Sequence, residues 1–128
     1  MLAGFPALVA ILALVLYIAV SINVGRNRLR HDIKAPAVTG HPEFERAFRV
    51  QQNTIEQLLL FLPALWLFSL FVSAFWGGIV GLVWIGGRAF YAYSYLRDPE
   101  TRGPGFIVGF AASLVLLIGA LIGAVAHL

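Results

Sequence analysis

RVQQNTIEQLLLFLPALWLFSLF, residues 49–71, decides the fold. Its first eight residues place Arg49, Asn53 and Glu56 at i, i+4 and i+7, one stripe along one face of a helix. From Gln57 to Phe71 there is no charge at all. A helix that starts polar and continues as an unbroken apolar run enters a bilayer from its polar end. Ionisable groups at that mouth are costly in lipid, so they need partners or a purpose. Pro63 removes one backbone hydrogen bond and predicts a kink partway along.

Working outward, the 128 residues are 60% hydrophobic and 12% charged. Soluble domains carry about a quarter charged residues, so this composition points to an integral membrane protein. Residues 1–25 hold no charge, and no positive segment or cleavage-like site accompanies them, so they read as a span and not a removed leader. The most charged segment, RNRLRHDIKAPAVTGHPEFERAFR, follows at 26–49. Pro42, Glu43 and Glu45 there suit the start of a helix. SAFWGG, 73–78, reads as a turn anchored by Trp76. RDPETRGPG, 97–105, carries the turn chemistry of Asp98-Pro99 and Gly103-Pro104-Gly105. The chain therefore reads as an all-α, four-transmembrane-helix bundle, one domain over 1–128, with spans at about 3–25, 50–72, 76–96 and 104–127. Arginine and lysine concentrate in the first and third loops, which the positive-inside rule assigns to the cytosol, with both termini outside. Small residues in the fourth span (Gly105, Gly109, Ala112, Gly119, Gly123) recur at three- and four-residue spacings, which allows close helix contact in lipid.

A second polar stripe lies on the third span, where Arg88, Tyr91 and Tyr95 fall at i, i+3 and i+7. Both stripes sit near the cytosolic boundary and can meet at one depth. Arg97 and Arg102 lie just beyond, and Arg26, Arg28 and Arg30 close the first span. One reading is structural: Arg88 neutralises Glu56 as a buried ion pair, the aromatics pack, and the basic cluster sets orientation. The other is a site. Guanidinium forks bind carboxylates bidentately, a carboxylate holds an ammonium, and an amide adds direction. That set complements a small zwitterion with an excess of carboxylates.

Other chemistries lack their parts. There is no cysteine, so the chain has neither disulfide nor thiolate of its own. His31, His41 and His127 are scattered without metal-ligand spacing, and no metal is expected. Ser94 has no histidine at a helical neighbour position, and the paired glycines lie in apolar helix and not between strand and helix. The nine Lys and Arg against six Asp and Glu are too few, and too tied to span ends, for nucleic acid.

At these residues the sequence resembles a known family. PEFERAFRVQQNTIEQLLLFLPALW, 42–66, resembles the second helix of the membrane-associated proteins in eicosanoid and glutathione metabolism (MAPEG). GRAFYAYSYLRDPETRGPGF, 87–106, is similar to the third helix and following loop of that family. The four-span layout matches throughout. The resemblance implies a homotrimer that binds glutathione as co-substrate between neighbouring subunits, near the cytosolic face. Carried over by position, it implies Arg49, Gln51, Asn53, Glu56, Tyr91, Tyr95 and Arg28 as glutathione ligands. It implies Arg102 as the catalytic cation beside the thiol. Gln57 stands where several relatives have tyrosine, which leaves the electrophile pocket undefined.

The expectation is a glutathione transferase of a bacterial inner membrane or of the endoplasmic reticulum. It would present the thiolate to a hydrophobic electrophile arriving through membrane lipid, with lipid-hydroperoxide peroxidase activity as an extension. The rival is a non-catalytic lipid-binding scaffold of the same fold. A transporter ranks last, because the outer halves of the spans are uniformly apolar.

Overall fold

The computed structural model describes residues 3–128, so the first two residues of the expected 1–128 domain lie outside it. Among the described residues all regular structure is helical. The helices are α1 (Gly4–His31), α2 (Pro42–Phe71), α3 (Ala74–Arg97) and α4 (Gly103–Ala126), with one 3₁₀ turn at Pro99–Thr101. α1, α2 and the segment Pro99–Ala126 are each long and apolar enough to cross a membrane. α3 has 24 residues, and its glycines and Arg88 dilute its apolar character.

Local chemistry explains the ends. α1 runs past the expected 25 to His31, because Arg26, Arg28 and Arg30 are good helix formers and favour a helix C-terminus. Asp32 stops it in the left-handed region at φ 52, a conformation that a short polar side chain tolerates. His41 caps α2: its Nδ1 accepts from the Glu43 amide at 3.1 Å, and Pro42 needs no partner in the first turn. α2 then continues through Pro63 to Phe71 as one helix. The turn expected over 73–78 is shorter. Ser73 accepts from the Trp76 amide at 3.1 Å, so α3 already begins at Ala74. A serine cap outweighs the reading of Gly77 and Gly78 as turn residues.

α2 and α3 form the centre, each packing on all three other helices, while α1 and α4 flank them. The main core gathers Val9 and Ala13 of α1, Phe61, Leu65 and Phe68 of α2, Trp84 of α3, and Leu116 of α4. Phe61 and Trp84 stack with ring centroids 4.1 Å apart. In lipid such contacts hold helices together by close packing and not by exclusion of water. The α3–α4 seam is closest where glycines meet: a Cβ on Gly105 would stand 2.5 Å from the Tyr91 amide nitrogen and 2.9 Å from the Gly87 carbonyl oxygen. This seam seats Tyr91 beside the first turn of α4.

Candidate functional site

Three pieces of backbone converge at the end of the bundle where α2 begins, α3 ends and α4 starts. α2 supplies Arg49, Gln52, Asn53 and Glu56, spaced i, i+3, i+4 and i+7. α3 supplies Tyr91 and Tyr95 from successive turns, and Arg102 is the N-cap residue of α4. Together they line one open cleft of about 240 Å³.

The cleft has two guanidinium groups and one carboxylate, so it carries net positive charge. Arg102 donates from Nη1 to the Pro99 carbonyl oxygen at 2.7 Å, and its guanidinium carbon lies 5.6 Å from the centre of the Tyr95 ring. Anchored so, it stands at the positive end of α4, whose first turn has no side-chain cap. Tyr91 is buried at 3% exposure, held between Tyr95 at 5.7 Å and Phe106 at 6.3 Å between ring centroids. Asn53 Oδ1 is buried and has no partner among the described residues. A buried acceptor without a donor is costly, and a ligand donor would satisfy it.

Of the residues expected at the site, Arg49, Asn53, Glu56, Tyr91, Tyr95 and Arg102 line this one cleft. Gln51 does not: its amide donates to Ser21 Oγ on α1 at 3.1 Å. Arg28 does not either, since it donates to the Ala37 carbonyl at 2.8 Å and lies over the Phe44 ring. Gln52 was the missed member. Its signal was present, because it completes the stripe of Arg49, Asn53 and Glu56, while Gln51 is a full residue step around the helix.

The expected Arg88–Glu56 ion pair is not formed within the chain. Arg88 is buried at 1% exposure and donates to Thr54 Oγ1 at 3.1 Å, with its guanidinium 4.2 Å from the centre of the Tyr91 ring. Thr54 and Glu56 are separated by roughly 200° of helix rotation. Once Thr54 faces Arg88, Glu56 faces the cleft. Arg88 Nε and Nη1 keep no protein partner among the described residues. Arg88 thus supports Tyr91 from behind.

The histidines, expected to be scattered, are not all so. His31 and His41 stack with ring centroids 3.6 Å apart, and His31 Nε2 lies 2.7 Å from Glu43 Oε1. The hydrogen bond from His31, together with nearby Arg30, holds the Glu43 carboxyl below its ordinary value of 4.5. This cluster ties α1 to α2 on the connecting segment, away from the residues of the cleft.

Comparison with known proteins gives a consistent result. The family model described as the MAPEG family matches residues 6–122. An uncharacterised protein of Synechocystis sp. is 46% identical over 118 residues, covering 92% of this chain and 86% of its own length. Microsomal glutathione S-transferase 2 of Homo sapiens is 38% identical over 102 residues, 79% of this chain and 69% of that protein. Leukotriene C4 synthase of Cavia porcellus is 34% identical over 121 residues, 94% of this chain and 81% of that protein.

Proposed function

The chain belongs to the MAPEG family of integral membrane proteins, and from that premise we propose that it is a glutathione transferase whose cleft ionises the glutathione thiol. The observation that carries this reading is the joint presence of Arg49, Asn53, Glu56, Tyr91, Tyr95 and Arg102 around one opening. Glutathione offers two carboxylates, one ammonium and one thiol. Arg49 takes a carboxylate, Glu56 the ammonium, and Asn53 Oδ1 an amide hydrogen.

Arg102 acts on sulfur. A free thiol ionises near ~8.5, and a neighbouring cation lowers this to about 3.5–7.5. Moving it to ~6.5 needs only ~3 kcal/mol of preference for the anion. A charged hydrogen bond at a helix N-terminus is of that size. The thiolate then forms a carbon–sulfur bond with an electrophile that reaches the cleft through lipid, breaking a carbon–oxygen or carbon–halogen bond whose electron pair leaves with the departing oxygen or halide, the oxygen taking its proton from solvent. The thiol proton leaves to solvent, and the chain supplies no nucleophile of its own. With a lipid hydroperoxide, the same thiolate attacks the peroxide oxygen and releases an alcohol. A second glutathione then yields the disulfide and water.

The site is completed in a homotrimer, open to the cytosol, with both termini on the opposite side. Arg28 and Gln51 lie outside the cleft of their own subunit, and assembly brings them to a neighbour's glutathione. The test is a glutathione titration of detergent-purified protein, read by binding heat and by the ultraviolet difference band of the thiolate. Saturable binding with the band is expected. Binding without the band removes the transferase reading. Absence of binding favours a lipid-binding scaffold.

A further inference from the structure

The segment joining α1 to α2 gathers ligand-type side chains that the cleft does not use. His31 ends α1, His41 is the N-cap of α2, and Glu43 stands in its first turn. One donor atom from each lies within 4.8 Å of the others. His31 is half-buried, and His41 and Glu43 are exposed, so an ion from solvent can reach all three.

We propose that His31, His41 and Glu43 form a binding site for a divalent transition-metal ion of the zinc or copper class. Two imidazole nitrogens and one carboxylate oxygen suit such borderline ions. Magnesium and calcium prefer sites built from oxygen alone. Zinc bonds of ~2.0–2.2 Å in a tetrahedron set donors about 3.3 Å apart. The donor atoms lie within 4.8 Å of one another, His31 Nε2 and Glu43 Oε1 at 2.7 Å, and the exposed His41 ring, now stacked on His31, must rotate to aim a lone pair at the shared ion. Arg30 Nη1 donates to both Glu43 oxygens, Oε2 at 3.3 Å and Oε1 at 3.4 Å, and Oε1 also faces His31. The metal replaces the hydrogen held between His31 and Glu43. If it binds His41 through Nδ1, a coordination bond replaces the cap hydrogen bond from the Glu43 amide. The fourth position stays open to water. Such an ion clips the end of α1 to the start of α2, less than two turns before Arg49.

The experiment uses the full chain in detergent, purified without a polyhistidine tag and stripped with chelator. Zinc is titrated by calorimetry, and copper(II) is read by electron paramagnetic resonance. One equivalent per chain is expected, with nitrogen hyperfine structure from two imidazoles. His31→Ala and His41→Ala should each weaken zinc binding about tenfold or more. His127→Ala is the control and should change nothing, because His127 lies at the end of α4 with Nδ1 2.7 Å from the Gly123 carbonyl oxygen. Absence of saturable zinc binding, or unchanged affinity in the His31→Ala/His41→Ala double variant, overturns the proposal. Should the variants fail to fold, the copper spectrum of the unaltered chain decides: two nitrogens support the site, and fewer overturn it. None of these readouts depends on glutathione chemistry.

Discussion

Arg102 and Arg88 show how differently two arginines can serve one cleft. Arg102 lines it, and in the proposed function its effect falls on the bound thiol. In Arg102→Ala, return of the thiol from about 6.5 to about 8.5 cuts the thiolate fraction at pH 7 roughly 25-fold. Conjugation at saturating glutathione should fall by that order, glutathione affinity should change little, and the rate should recover as pH rises towards 8.5. A variant equally slow at every pH would exclude the thiolate role. Arg88 acts from behind Tyr91, and its hydrogen-bond acceptor is Thr54. Thr54→Val strips a buried guanidinium of that acceptor and should cost about 1–3 kcal/mol, measured as thermal stability in detergent. Glutathione affinity reads whether Tyr91 has moved as well. The stripes of Arg49, Asn53 and Glu56 and of Tyr91 and Tyr95 were legible from spacing, while Gln52 was not read and Arg102 came with the family resemblance. Arg88 pairing with Thr54 was not legible, because helical spacing gives a residue's face but not which of two polar neighbours on the next helix meets it.

The decisive contact between elements is the α3–α4 seam. At Gly105 an added methyl meets backbone of Tyr91 and Gly87, which cannot turn aside as a side chain can. Gly105→Ala should therefore force the helices apart, cost about 1–3 kcal/mol, and weaken glutathione binding through displaced Tyr91. Gly86 has nothing within 4 Å of its Cβ position. Gly86→Ala should leave both properties intact or raise stability slightly, since alanine is the better helix former. Paired thermal melts and glutathione titrations separate the two cases. The small-residue spacing of the fourth span announced close packing, but it did not name the partner helix. The ends of the elements were read to within a few residues, Ser73 starting α3 two residues early, except where the basic residues after position 25 extended α1.

Across the whole molecule, large apolar side chains such as Leu8, Leu59, Trp66, Ile107 and Leu121 stand exposed on the single chain, as expected of surfaces that meet lipid or neighbouring subunits. The proposed homotrimer predicts a protein mass three times 14.0 kDa by light scattering once detergent is subtracted. A monomer that still binds glutathione with full affinity would remove Arg28 and Gln51 from the site. Sidedness can be read directly, because the chain has no cysteine. Lys34→Cys and Glu100→Cys should label only from the cytosolic side of sealed membranes, and Val72→Cys only from the other. The reverse pattern would turn the cleft outward.

The sequence by itself determined the helical membrane class, the number of helices, and the stripes that carry Arg49, Asn53, Glu56, Tyr91 and Tyr95. These follow from local quantities: apolar run length, turn residues, and a repeat of 3.6 residues per turn. Tertiary structure alone decided which stripes meet. It turned Gln52 into the cleft and Gln51 onto α1, gave Arg88 to Thr54, and folded His31 against His41 across ten residues of chain. Those outcomes depend on the rotation of each helix about its axis and on how closely glycine lets two backbones approach. Both are set by the packing of all four helices together, and no local pattern contains them.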